Sequence, residues 1–186
     1  MGRRPGLLGI AVLLACCGRD DARGAQAPSP EASMSEDVRR MHDRLVALSK
    51  GEGSTSELRI EFMDGGMSAH RSFSIEAGRL ASKEWKSPGA PMIQREGRVT
   101  DSRVSELLQQ LIASKYWTFQ GSRFVPDAPI FLFRFHHGDL KAVDFRCDDH
   151  EIRESEARGA IRELFLRFAS DTEMQAVPAG SGAPDP

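Results

Sequence analysis

The residue types that could support chemistry lie together in the C-terminal part of the chain. The segment Cys147–His150 reads Cys-Asp-Asp-His, and two adjacent histidines, His136 and His137, precede it. Thiolate, imidazole and carboxylate groups are the ligands that zinc prefers, and a cysteine near a histidine can also act as a nucleophile with its base. One alternative for this chain is therefore a small thiol- or metal-dependent enzyme that uses Cys147 and His150.

The spacing of these residues argues against a single metal site. All ligands of one zinc ion must lie about 2.0 to 2.3 Å from it. A hairpin predicted over this segment separates the two adjacent histidines from Cys147 by roughly 24 Å, at about 3.4 Å per residue. A smaller site from Cys147, Asp148 and His150 needs a further ligand, such as His70. We therefore expect no metal and no other cofactor, and we interpret Asp148–His150 as a polar loop that enters the last helix, with Cys147 buried.

Other signals of activity are missing from the sequence. It contains no Walker A loop and no H-E-x-x-H, C-x-x-C or G-x-S-x-G motif. The net charge of -2 excludes the broad positive field that non-specific nucleic-acid binding needs, so we expect no nucleic-acid partner. The 186 residues suit one domain of ordinary size. A non-enzymatic protein is the interpretation we carry forward.

Three helices are predicted from apolar residues at helical spacing. The first covers residues 35–50, with Ser33 and Glu36 in capping-box spacing. The second begins at Thr100 or Asp101, and the third covers residues 154–170. Their inward residues are Val38, Met41, Leu45 and Leu48, then Val104, Leu107, Leu108, Leu111 and Ile112, then Ala157, Ala160, Ile161, Leu164, Phe165 and Phe168.

Strands are predicted where apolar and polar residues alternate. They cover about residues 58–62, 72–76, 79–86, 92–98, 130–136 and 140–147. Strands followed by a helix, twice in succession, predict an α+β domain with an antiparallel sheet and helices packed on one face. Three aromatic residues after the second helix are expected to close the core, with a ligand platform as the alternative: Tyr116, Trp117 and Phe119. For Trp85, core and binding edge remain equally open.

The last predicted hairpin is apolar on both sides. A three-residue loop at His137–Asp139 would set Phe133 opposite Val143 and direct the phenylalanines inward. Ile130 and Leu132 then lie on the other side, where something should cover them. We interpret this side as a candidate protein-contact face made of Ile130, Leu132, Arg134 and Arg146; the alternative is that the first helix covers it.

The N-terminus resembles the signal peptide and lipobox of bacterial lipoprotein precursors. Arg3 and Arg4 precede the short apolar run 7–15, and Leu-Leu-Ala leads directly into Cys16. The resemblance covers residues 1–16 and implies that Cys16 is lipidated and anchors the mature protein to a membrane. The next residue is Cys17 and not Asp, which by the same resemblance implies the outer membrane, facing the periplasm or the cell surface.

These observations predict four segments: a signal peptide (1–15), a lipidated Cys with a flexible tether (16–34), one α+β domain (35–172) and a disordered tail (173–186). The functional hypothesis is a membrane-anchored envelope lipoprotein whose domain binds or helps to assemble another envelope protein. Besides the thiol- or metal-dependent enzyme, a small-molecule or lipid-binding domain is an alternative, and it requires an apolar pocket of about 300 Å³ or more.

Overall fold

A computed structural model describes residues 34–66, 69–119 and 129–177. The predicted signal peptide, Cys16 and nearly all of the predicted tether lie outside these residues. The helices are α1 Glu36–Ser49, α2 Asp101–Ala113, α3 Asp149–Glu154 and α4 Glu156–Ser170. The strands are β1 Leu58–Gly65, β2 His70–Glu76, β3 Arg79–Trp85, β4 Ile93–Arg98, β5 Ile130–His137, β6 Val143–Asp148 and β7 Met174–Ala176.

The seven strands form one sheet in the order β6-β5-β1-β2-β3-β4-β7. Every neighbouring pair is antiparallel. Strands β1–β4 are followed by α2, and β5–β6 are followed by α3 and α4. The predicted α+β class, with two successive strands-then-helix units, is confirmed.

Hydrogen bonds from backbone N–H groups to cap side chains define the helix starts. The Ser35 side chain accepts from the Val38 N–H at 3.4 Å and caps α1. Ser33, with which the predicted capping box begins, lies outside the described residues. Thr100 caps α2 as expected, by accepting from the Arg103 N–H. Each cap satisfies a backbone donor that the first helical turn leaves without a partner.

The last helix differs from the prediction. Asp148 and Glu151 form a capping box, so the segment interpreted as a polar loop is the helix α3. Ser155 has an extended backbone that ends α3, and its side chain caps α4. Ala157 and Ala160 are exposed on α4 and do not face inward as predicted. Two local caps therefore place a short additional helix directly before the predicted last helix, in the segment predicted as a loop.

The core lies between the helices and one side of the sheet. It includes α1 residues such as Met41 and Leu45 together with Phe133 and Phe145 of the last hairpin. Burial alternates along β1 and β5, because successive side chains point to opposite sides of a strand. We call the side without a described helix the open face; it carries Arg59, Glu61, Met63, His70, Trp85, Ile130, Leu132, Arg134, Asp144 and Arg146.

Two predictions about chain geometry are corrected. Phe133 lies opposite Phe145 and not Val143, because residues 138–142 separate β5 from β6 and the register is shifted by two. An even shift leaves every side chain on its predicted side. The predicted tail begins too early, since Met174–Ala176 pairs with β4 as a seventh strand. Residues 178–186 lie outside the described residues.

Candidate protein-contact face

Ile130 and Leu132 lie on the open face, and both are half-buried. Leu132 lies opposite Met63 of β1 on one side and Arg146 of β6 on the other. The α1 residues Val38, Met41, Leu45 and Leu48 belong to the core on the opposite side of the sheet. The alternative that the first helix covers Ile130 and Leu132 is therefore wrong.

The register extends this apolar region across the sheet. Ile130 lies opposite Gly65, Gly65 opposite His70, and His70 opposite Trp85, so these four residues form one cross-strand row. The rings of His70 and Trp85 meet edge to face, with centroids 5.5 Å apart. We call Met63, Trp85, Ile130 and Leu132 the apolar end of the open face. All four side chains are half-buried.

Of the apolar end, sequence reasoning missed Met63 and left the position of Trp85 open. Alternation along β1 does place Met63 on the side away from Phe62, so its orientation was readable. What was not readable is that β1 lies beside β5, because their contact joins residues about seventy positions apart along the chain. The structure also decides the open question about Trp85, which lies on the open face and not in the core.

Charged residues in fixed ion pairs border the apolar end. The Arg134 guanidinium contacts both carboxylate oxygens of Asp144, with Nε–Oδ1 at 2.5 Å and Nη2–Oδ2 at 2.7 Å. Its Nη1 lies 3.4 Å from Glu61 Oε2, and Arg59 Nη2 lies 2.5 Å from Glu61 Oε1. The hydrogen bond from Arg134 holds the pKa of Asp144 below its usual value. Such exposed pairs add little stability, but they keep charge at defined positions.

A shallow concavity of about 340 Å³ lies beside this charged region. It is lined by Arg59, Glu61, Glu76, Arg134, His136 and Ala142. Most of these side chains carry charge, so the concavity is suited to polar or charged groups of a partner more than to an apolar ligand.

Cys147 and His150 have unlike environments. The Cys147 side chain has 0% exposure and points into the core, and burial raises the pKa of its thiol to about 12. His150 lies in α3 with its side chain 77% exposed, and its Nδ1 is 3.3 Å from Glu154 Oε2. A reactive thiol needs a low pKa and access to solvent, and Cys147 has neither. The prediction that Cys147 is a buried side chain is confirmed.

The histidines of the possible metal cluster point to different places. His136 is exposed on the open face, whereas His137 is buried on the other side of β5. Within residues 34–66, 69–119 and 129–177, no group of three or more His, Cys, Asp or Glu side chains could hold a metal ion. Cys147 forms no disulfide among these residues, and Cys17 lies outside them.

Tyr116, Trp117 and Phe119 belong to the core, as expected. They are buried in a short 3-10 helix, and the Tyr116 ring meets Phe145 edge to face with centroids 5.1 Å apart. The space found between sheet and helices, beside Phe62 and Phe165, is only about 10 Å³. That volume holds at most one water molecule.

Comparison with known proteins adds no assignment. No protein-family model matches the chain, and no curated protein matches it at a significant level. Among the described residues, no helix combines the length and apolar character needed to cross a bilayer.

Proposed function

We propose that this chain is a lipid-anchored bacterial envelope protein whose α+β domain binds another envelope protein through the open face of its sheet. In this proposal Cys16 carries the lipid, and the contact is centred on Ile130 and Leu132 with Arg134 and Arg146 at its border. The observation that carries the contact is an apolar end on a sheet face without a covering helix in the described part of the chain.

The composition of this face supports a protein partner. An antiparallel sheet usually exposes polar residues on its free side, and most of the open face follows that rule. Ile130, Leu132, Met63 and Trp85 break it at one end of the sheet. Protein contacts combine an apolar centre with a polar border, and tryptophan and arginine are the residues that most often dominate their energy.

The N-terminal resemblance supports the location. The predicted tether includes about sixteen residues between Cys17 and the domain, and a flexible coil of that length spans roughly 20 to 25 Å on average, which would hold the domain clear of the lipid headgroups. A partner beside the membrane would then lie within reach of the open face. The outer membrane, facing the periplasm or the cell surface, is the location we propose.

The two alternatives have less structural support. An enzyme built on Cys147 and His150 would have to use a thiol with no exposure and a pKa raised to about 12. A small-molecule or lipid-binding domain would need roughly 300 Å³ of apolar space, whereas the gap beside Phe62 and Phe165 measures about 10 Å³.

Site-specific photo-crosslinking in intact cells tests the contact. A photoreactive phenylalanine analogue replaces Leu132 in one variant and Trp85 in a second, and Arg98 at the opposite corner of the same face in a control. We expect the first two variants to yield an adduct with the same partner protein and the control to yield none. No adduct at Leu132 and Trp85, or equal adducts at Arg98, would refute the proposed contact.

Metabolic labelling tests the anchor separately. We expect the wild-type chain to incorporate an alkyne fatty acid, and Cys16→Ser to abolish the label and release the protein from membranes. Cys17→Ser is the matched control and should keep both properties. An unlabelled wild-type chain that still fractionates with membranes would contradict lipidation.

A further inference from the structure

The residues of the open face form rows that cross the strands, and the apolar end occupies two neighbouring rows. One of them is the row that reaches β3 at Trp85. The next row consists of Leu132, Met63, Ser72 and Lys83. Neighbouring rows are two residues apart on each strand, or about 7 Å. We call these two rows the band; its width is close to that of one helix or one extended chain.

Positive charge borders the band on the β3 side. Lys83 lies on the open face two residues before Trp85, and Lys86 follows Trp85 directly. Both lysines are exposed, so their ammonium groups can reach a bound partner. Among the described residues, neither lysine belongs to an ion pair. This border therefore carries two positive charges that can meet a partner's carboxylate.

A concavity of about 410 Å³ lies beside Trp85 at this end of the sheet, and His70 and Lys86 contribute to its wall. Three carboxylates also line it, and each of them already pairs with an arginine: Asp64 with Arg162, Glu84 with Arg71, and Asp149 with Arg153. Their charge is therefore balanced, whereas no described residue of the concavity balances Lys86. A partner side chain that entered the concavity would meet the Trp85 ring and a positive charge together.

The exposed carboxylates of the open face lie one row further from the apolar end. Glu61 and Asp144 share Arg134 as their partner. Glu96 pairs with Arg79. A flat anionic membrane laid on this face would bring its headgroups against the carboxylates of this row, which repel them. A protein segment that follows the band reaches the lysines without covering the acidic row, so the charge pattern favours a protein.

We propose that the partner presents an acidic amphipathic segment that lies along the band, with apolar side chains over the apolar end and a carboxylate beside Lys83 and Lys86. This inference rests on the proposed partner contact and specifies its chemistry. From β5 to β3 the band crosses three strand spacings, or about 14 Å, which a helix of about ten residues spans. An apolar centre with complementary charge at its border is the usual composition of a protein contact.

The lysines would act mainly on how often the partner docks and in which orientation. Charges at the border of a contact steer association. Salt removes most of this effect, because the Debye length falls from about 10 Å at 0.1 M to about 3 Å at 1 M. We therefore expect a contact that both salt and charge reversal weaken.

Photo-crosslinking with the photoreactive phenylalanine analogue at Leu132 measures the contact. In this background the variants are Lys83→Glu, Lys86→Glu and the double reversal. We expect the yield of the protein adduct in intact cells to fall about threefold for each single reversal and about tenfold for the double reversal. Lys83→Arg and Lys86→Arg retain the charge and should keep the full yield. In isolated envelopes, salt should lower the adduct of the unreversed chain much more than that of the double reversal.

Arg98→Glu is the matched control. It changes the net charge as much as each single reversal and on the same face, but Arg98 lies opposite Arg79, four residues or about 14 Å along β3 from Lys83. We expect the adduct yield to stay unchanged. Immunoblots report whether each variant accumulates, and thermal melts report whether it folds. If a reversal does not fold, Lys83→Gln and Lys86→Gln should each lower the yield about twofold.

Two results would overturn the acidic segment and leave the partner contact intact: a protein adduct whose yield neither salt nor the reversals lower, or a control that lowers the yield as much as the reversals. An adduct at Leu132 whose added mass is a phospholipid would overturn both and would assign a membrane surface instead. No adduct at Leu132 would refute the partner contact, and this inference with it.

Discussion

A glutamate should unfold the protein at one position of β5 and leave its stability nearly unchanged at the adjacent position. Phe133 is fully buried and Leu132 is half-buried on the open face. The two residues are adjacent on one strand. The two variants therefore differ mainly in the side of the sheet on which the new carboxylate lies.

The loss at Phe133 can be worked out from its contacts. Its ring stacks on Phe145 with centroids 5.0 Å apart and meets Phe165 at 5.5 Å. Removing a buried phenylalanine ring costs about 3 to 5 kcal/mol, and burying an unpaired carboxylate costs several more. Because a domain is stable by only about 5 to 15 kcal/mol, we expect Phe133→Glu to unfold the protein.

At Leu132 the new carboxylate would stay in contact with water. Arg146 lies directly opposite this position, and Arg134 lies two residues further along the same strand. Both guanidinium groups are suitably placed to attract a carboxylate on the open face. We therefore expect Leu132→Glu to change the free energy of unfolding by less than about 1 kcal/mol.

Urea unfolding followed by circular dichroism measures both effects. Phe133→Leu is a useful control, because it keeps an apolar side chain and should remain folded with an intermediate loss. A loss above about 3 kcal/mol for Leu132→Glu would show that something covers the open face, and would refute the protein-contact face together with the geometry on which it depends.

Three further predictions concern the core, the charged border and two glycines. Burial raises the pKa of Cys147 to about 12, so its thiolate fraction is roughly one in 100,000 at pH 7, and we expect alkylation of its peptide, followed by mass spectrometry, only after unfolding. Arg134 lowers the pKa of Asp144, which stabilises the folded state by less than about 1 kcal/mol. This stabilisation is present above the unfolded pKa near 4 and is lost as pH falls through the folded pKa. The melting temperature of Asp144→Asn should therefore approach that of the wild type in acid. A Cβ at Gly97 would collide with the Glu173 carbonyl, whereas one at Gly159 makes ordinary contacts. In thermal melts, Gly97→Ala should lower the free energy of unfolding by about 1 to 3 kcal/mol, and Gly159→Ala should raise it by about 0.5 to 1 kcal/mol.

Each of these three predictions can be contradicted by one result. Rapid alkylation of native Cys147 would indicate an accessible thiol and would support the alternative of a thiol-dependent enzyme. A constant gap between wild type and Asp144→Asn down to the lowest pH would mean that the Arg134 pair is not responsible. A Gly97→Ala variant as stable as the wild type would show that β7 does not lie against β4 as described.

Helix positions and strand faces were predictable because their signals are local. A helix repeats every 3.6 residues and a strand every two, so the buried side of α2 and of β5 can be read from neighbouring residues alone. The start of α2 was predicted at Thr100 or Asp101 for the same reason, and the structure shows that Thr100 is the cap. The capping box of Asp148 and Glu151 was equally readable, but Asp148–His150 was predicted as a polar loop, so the short helix α3 was missed.

Contacts between distant segments were not predictable in this way. The β5–β6 register depends on how five loop residues close, and β7 is a three-residue strand whose pairing with β4 has no periodic signal of its own. Which strand lies beside which is decided by how all the apolar surfaces can be buried at once, and no local pattern contains that information.

The sequence by itself determined the fold class, the apolar character of Ile130 and Leu132, and the buried position of Cys147. Only the tertiary structure decided that α1 lies on the opposite side of the sheet from Leu132, and that Met63 and Trp85 extend the apolar end. The physical reason is that alternation assigns a residue to a side of its own strand, whereas the neighbours of that side come from strands far away in the chain.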